Sequence, residues 1–254
     1  MQGNCLQDRV AVVTAAGGGA GRVIADMLAG AGARVIACDV NEAGLAYLAS
    51  RNDAIETVAG DVADEATVAA MLERAGKKID VLVNNVGIAG PTAKAEDITL
   101  DEWNESIRVN LTSHFLFARG VIPAMKKEGT GLIVNISSGS AKVGLPLRLP
   151  YVVTKGAVLS LTTNLARELG PFGIRVNAIL PGAIRGERIN RVIESKAAAL
   201  GQDRAEYEKG LLRYISMRTM VEPEDIASAI VFLASSAGSR ITGQLLGVDG
   251  NIEW

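Results

Sequence analysis

Short, near-continuous runs of Val and Ile recur along this chain, separated by longer segments rich in Ala and Leu. That alternation constrains the fold more than any other feature. The runs are residues 10–14 (VAVVT), 34–38 (RVIAC), 56–59 (ETVA), 80–84 (DVLVN), 132–136 (LIVNI), 174–180 (IRVNAIL) and 245–248 (LLGV). They are β-branched without strict polar alternation, the pattern of strands covered on both faces. Helical segments are expected at 22–31, 65–75, 100–125, 151–169 and 223–234. A β-α-β-α order of this kind predicts an α/β fold, a doubly wound parallel sheet of Rossmann type with helices on both faces. The 254 residues show no repeat or charged linker and read as one unit, 1–254. One stretch, 182–221, is longer than a connection needs to be, and is expected to be a helical lid over a substrate.

Bulk properties narrow the function. Net charge is −2 and aromatics make up 4% of the chain, which disfavours nucleic acid as a partner. No apolar run approaches the roughly 20 residues of a membrane span. Cys5 and Cys38 offer neither a disulfide framework nor metal-ligand spacing. The first ten residues, MQGNCLQDRV, carry no leader pattern. The expectation is a metal-free cytoplasmic protein.

The first strand runs into Thr14-Ala15-Ala16-Gly17-Gly18-Gly19-Ala20-Gly21 and then a helical segment. Glycines let backbone approach a ligand closely, and amides at a helix N-terminus favour a pyrophosphate. Asp39 ends the second strand and suits the two hydroxyls of an adenosine ribose while repelling a 2′-phosphate, so NAD is expected over NADP. Asp61, with Val62 beside it, comes after the third strand within reach of an adenine edge. Asn84-Asn85-Val86-Gly87 ends the fourth and suits a tight turn against a ligand. Tyr151 and Lys155 are four apart at the start of a helical segment, hence on one face. An ammonium beside a phenol favours the phenolate, so the pair has the chemistry of a proton acceptor and its tuner. The fifth run delivers Ser138 to the carboxyl end of the sheet, and Asn110 is a polar residue in an apolar helical stretch.

Taken together, Thr14…Gly19-Ala20-Gly21, Asp61, Asn84-Asn85-Val86-Gly87, Asn110, Ser138, Tyr151-x-x-x-Lys155 and Pro181-Gly182 resemble the short-chain dehydrogenase/reductase family. The resemblance covers roughly residues 8–250. It implies NAD(P)-dependent hydride transfer between nicotinamide and a secondary alcohol or ketone. It implies Tyr151 as acid/base and Lys155 as its tuner and a ribose ligand. Ser138 would position the substrate oxygen, and Asn110 would support a water relay. Cofactor contacts are implied at Thr14, Gly19, Ala20, Gly21, Asp39, Asp61, Val62, Asn85, Val86, Gly87, Tyr151, Lys155, Pro181, Gly182 and Ile184, and a homodimer or homotetramer is implied as well. Three positions depart from the pattern: Ala15 for a usual Gly, Val86 for a usual Ala, and Gly186 where a Thr commonly holds the carboxamide.

The 182–221 stretch holds eight basic and five acidic residues, net +3 in a chain of net −2. Arg185, Arg188 and Arg191 recur every third residue among Ile184, Ile189, Val192 and Ile193, as on one edge of a short amphipathic helix. Arg148 and Arg188 are the candidate contacts for an anionic substrate, a carboxylate, sulfonate or phosphate, alongside Ser138 and Tyr151. His114 is expected to be a packing or interface residue. The terminal Trp254 is a candidate for docking on a neighbouring subunit. Two other functions fit parts of the pattern: a dinucleotide sensor without catalysis, and a dehydratase or epimerase with tightly held NAD.

Overall fold

The computed structural model describes residues 4–252; Trp254 lies outside them. Seven parallel strands form one sheet in the order β3-β2-β1-β4-β5-β6-β7. They are β1 (Val10–Thr14), β2 (Arg34–Asp39), β3 (Ile55–Ala59), β4 (Val81–Asn84), β5 (Gly131–Ile136), β6 (Ile174–Pro181) and β7 (Leu245–Val248). The helices are α1 (Gly19–Gly30), α2 (Glu42–Ala49), α3 (Glu65–Ala75), α4 (Leu100–Ile107), α5 (Ser113–Glu128), α6 (Ser140–Val143), α7 (Leu149–Leu169), α8 (Glu187–Leu200), α9 (Arg204–Arg213) and α10 (Pro223–Ala234).

Alternation within the strands divides the core in two. Ala11 and Val13 face one layer with Ile24 and Leu28 of α1 and Ile226 and Ile230 of α10. Val12, between them, faces the other with Phe117, Val121 and Met125 of α5. Phe117 and Val12 are fully buried, and each such large side chain contributes about 1.5–3 kcal/mol. Strand order reverses direction between β1 and β4, which opens a crevice at their carboxyl ends, where ligands bind in folds of this type.

Local chemistry sets several boundaries. Thr99 and Glu102 close a capping box at the start of α4. Pro150 opens α7, where its missing N–H costs nothing. The helical stretch expected at 100–125 runs to Glu128, with one π turn inserted at Arg108–Thr112. Asn110 sits in that turn, and extra-residue turns of this kind re-aim side chains and are frequent at functional sites.

The 182–221 stretch folds into α8 and α9 with an apolar cluster of its own: Ala183, Ile193 and Met220, flanked by Ile189, Tyr207, Leu211 and Leu212. Its two ends are pinned together. Ile184 bridges Val221, and Ile215 bridges Ile252. Among the described residues no helix is long and apolar enough to cross a membrane.

Candidate active site

One cavity of about 1090 Å³ opens at the carboxyl ends of the strands. It is lined by the segments that leave β1 (Ala15 to Val23), β2 (Asp39 and Asn41), β4 (Asn85 and Gly87), β5 (Ile136 to Ser140) and β6 (Gly182 to Arg188), with α7 and α8 closing the sides. The turn after β1 is tight. A Cβ on Gly21 would fall 2.0 Å from the Ala15 carbonyl oxygen and 2.5 Å from Asn85 Nδ2. Asn85 holds this turn by donating from Nδ2 to the carbonyls of Thr14 (3.1 Å) and Ala15 (3.0 Å). Ala15 takes φ +54°, a left-handed conformation that costs an alanine roughly 1 kcal/mol. Asp39 accepts from the backbone N–H of Gly17 (2.8 Å) and of Asn41 (2.9 Å) and still faces the cavity. A glycine turn with no room for a Cβ at Gly21, amides at the start of α1 and a carboxylate at the end of β2 together fit a dinucleotide.

Ser138, Tyr151 and Lys155 come together on this cavity, as does Arg148. Ser138 Oγ lies 2.8 Å from Ser140 Oγ, a residue with no obvious signal in the sequence. Ser137 Oγ donates to the Lys155 carbonyl at 2.8 Å and ties β5 to α7. Lys155 is 2% exposed. Its ammonium donates to the Ile136 carbonyl (2.7 Å) and lies 3.5 Å from the Val86 carbonyl. Burial, and secondarily the Arg188 charge, lowers its pKa to about 7. A Cβ on Gly87 would meet this ammonium at 3.0 Å, so the glycine leaves it room. Two guanidiniums flank the phenol: Arg148 lies 5.4 Å and Arg188 6.0 Å from the Tyr151 ring centroid.

Of the residues singled out for the cofactor, Gly19, Ala20, Gly21, Asp39, Asn85, Gly87, Pro181, Gly182 and Ile184 line the cavity; five other singled-out residues do not. Thr14 is fully buried, and its Oγ1 accepts from the N–H of Asn85 (3.0 Å) and Val86 (3.2 Å), so it shapes the turn from behind. Val86 is buried in the core layer on the α5 side of the sheet. Asp61 is turned onto Arg108, at 2.8 Å, and Val62 packs beneath it in the core. Burial pushes the Asp61 carboxyl up, but the Ala63 N–H and Arg108 outweigh it and hold its pKa below the ordinary value. Asn110 is completely buried, and its amide is spent on positioning. Oδ1 accepts from Ile88 N–H (2.7 Å), and Nδ2 donates to Ile88 O and Thr154 Oγ1 (both 3.1 Å).

His114 is fully buried beside Asn84 and Asn135, in agreement with a packing role and not with an exposed interface. Desolvation, then the Lys155 charge, holds its pKa well below the ordinary value, so the ring is neutral. Of the lid arginines, Arg185 pairs with Glu222 (2.7 Å), Arg188 donates to the Gly87 carbonyl (2.8 Å), and Arg191 lines the rim of the cavity. Lys196 also reaches the cavity. Its signal was present in the sequence: Arg188, Val192 and Lys196 keep i, i+4, i+8 spacing on one helix face.

Comparison with known proteins agrees with this geometry. A family profile described as enoyl-(acyl carrier protein) reductase matches residues 15–251. The 2-keto-3-deoxy-L-fuconate dehydrogenase of Xanthomonas campestris pv. campestris is 36% identical over 248 residues, covering 96% of this chain and 80% of its own. The D-threitol dehydrogenase of Mycolicibacterium smegmatis is 35% identical, covering 96% of this chain and 93% of its own. The crystal structure of the 3-ketoacyl-(acyl-carrier-protein) reductase from Brucella melitensis complexed with NADH superposes with a TM-score of 0.86 at 34% identity, covering 96% of this chain and 98% of the other. The chain belongs to the short-chain dehydrogenase/reductase family, and it is an oxidoreductase of alcohols and ketones that works with a nicotinamide cofactor.

Proposed function

We propose that this family member interconverts a secondary alcohol and its ketone with NAD, using Ser138, Tyr151 and Lys155. The observation that carries the reading is their shared wall: the three side chains line the same cavity as the glycine turn and Asp39. When bound, nicotinamide supplies the acceptor or donor of the hydride exchanged at the carbinol carbon. Ser138, steadied by Ser140, holds the substrate oxygen by a hydrogen bond. The Tyr151 oxygen takes the hydroxyl proton in oxidation and returns it in reduction. Lys155, anchored on the Ile136 carbonyl, presents its positive charge to the cofactor side of the cavity. Gly182 and Ile184 offer backbone to the carboxamide, and α8 and α9 form a lid that keeps water from the reacting carbon.

Asp39 supports NAD over NADP, because its carboxylate repels a 2′-phosphate and retains lone pairs for ribose hydroxyls. Arg148 and Arg188 contact the substrate. Exposed Phe115, Leu149 and Val153 on α5 and α7 support a homodimer or homotetramer, and two thiols free of disulfides suit the cytoplasm. A sensor without catalysis leaves the Ser138, Tyr151 and Lys155 arrangement unexplained. The test is initial rates across a panel of secondary alcohols with NAD⁺ and NADP⁺. The expected result is a higher kcat/KM with NAD⁺, a preference that narrows in Asp39→Ala. Equal use of NADP⁺ by the wild type overturns the cofactor assignment.

A further inference from the structure

Three cations crowd the substrate end of the cavity without an acidic partner. Arg148, at the start of α7, is 3% exposed, and Lys196, on α8, is 5% exposed. The Arg148 guanidinium donates one hydrogen bond, from Nη2 to the Ala89 carbonyl at 2.6 Å, while its Nε is buried with no partner. Lys196 has no hydrogen bond or ion pair among the described residues, and its helix brings it to the same wall as Arg188 and Tyr207. Carboxylates do line the cavity, but elsewhere: Asp39 holds the glycine turn and Glu222 is paired with Arg185, while Glu187 and Glu224 make no ion pair with the three cations. Burying Arg148 and Lys196 close together without a counter-charge is costly. Desolvation, then the Arg148 charge, lowers Lys196 to about 8, and desolvation lowers Arg148 as well. With Arg148 and Lys196 buried without a carboxylate and the exposed Arg188 at the mouth beside them, this wall is complementary to an anion brought from outside.

We infer that Arg148, Lys196 and Arg188 form an oxyanion subsite, and that the substrate is a small hydroxy or keto acid. Its carboxylate or sulfonate lies a few bonds from the carbinol carbon. The spacing sets the size. The Arg148 guanidinium lies over the Tyr151 ring, 5.4 Å from its centroid, so an anion held by it sits beside the residue that marks the reacting carbon, as a short molecule would place it. A guanidinium fork with an ammonium beside it gives a planar oxyanion both bidentate hydrogen bonds and a point charge. Lys196 is the contribution the sequence pattern did not single out. This inference rests on Tyr151 marking the reacting carbon.

The test is calorimetric titration of the NAD-loaded protein with malonate and, as the neutral control, malonamide. It needs no turnover, so it stays legible even where the redox reading fails. Malonate is expected to bind at least tenfold more tightly than malonamide. Lys196→Gln is expected to weaken malonate at least tenfold, and Lys196→Arg to restore most of the loss. In turnover, the best short hydroxy acid is expected to exceed its methyl ester at least tenfold in kcat/KM, with the Lys196→Gln loss falling on KM. Equal binding of malonate and malonamide by the wild type overturns the subsite, and this comparison decides even where Lys196→Gln does not fold. Undiminished malonate binding by a folded Lys196→Gln removes Lys196 from it.

Discussion

At the scale of single residues, the site depends on what is absent as much as on what is present. Gly21 has no room for a methyl group, because the Ala15 carbonyl stands 2.0 Å from where it would be. Gly18 is extended, and nothing lies within 4 Å of its would-be Cβ. Gly21→Ala is therefore expected to cost about 3 kcal/mol and to abolish NAD binding, whereas Gly18→Ala should leave the melting temperature unchanged. Thermal melts with and without NAD check both. Lys155 makes a second residue-scale prediction. Its folded pKa of about 7 lies below the ordinary 10.5, so between those values the folded protein binds fewer protons than the unfolded chain. The cost of burying its charge is therefore full below pH 7, is relieved as pH rises through that window and is gone above it. Each pH unit is worth ~1.4 kcal/mol. Denaturant titrations should show this rise in the wild type relative to Lys155→Met; parallel curves for the two contradict it. At this scale the motif spacing singled out Ser138, Tyr151 and Lys155, and the fold puts all three on one cavity. The sequence was silent where a distant partner decides. Nothing near Asp61 announces that Arg108, 47 positions on, folds over to claim its carboxylate. Nothing near Asn110 announces Ile88 and Thr154.

At the scale of elements, strands buried on both faces were legible because their Val and Ile runs have no other stable use. Helices with a wide apolar face, such as α3 and α10, were legible for the same reason. Helix α2 buries just Leu45 and Leu48, and α9 half-buries Tyr207, Leu211 and Leu212 without fully burying any residue, so neither had a wide apolar stripe to read. The π turn at Arg108–Thr112 interrupts a run whose composition is helical throughout, and within it Asn110 donates to Thr154 of α7. Helix α8 was legible as a basic edge, but its placement comes from its own Ile193, which packs with Ala183 and Met220. That apolar cluster is separate from both layers of the main core, so Ile193→Ala is expected to loosen the lid selectively. The expected result is a local cost of about 2–4 kcal/mol, with faster proteolysis between residues 187 and 213 and a raised KM. The main thermal transition should barely move. Mass mapping of limited-proteolysis fragments checks this, and cleavage spread evenly over the chain contradicts it.

At the scale of the whole molecule, the parallel order of seven strands does the organising. Five strand ends deliver their loops to one cavity, so the glycine turn, Asp39, Ser138, Tyr151 with Lys155, and Lys196 meet although they come from separate parts of the chain. The order of segments made that convergence foreseeable, since parallel strands in a doubly wound sheet all end on the same side. The shape of the substrate end was not foreseeable, because it is built by a long connection folding over the sheet. The most direct measurement tracks the hydrogen itself. The best secondary alcohol from the panel, deuterated at the carbinol carbon, is incubated with the protein and NAD⁺, and the reduced cofactor is examined by mass spectrometry. One deuterium per NADH in the wild type, with formation reduced at least a thousandfold in a folded, NAD-binding Tyr151→Phe protein, is the expected outcome. NADH free of deuterium, or near-normal turnover without the phenol oxygen, contradicts the assignment of this cavity as the site of hydride exchange.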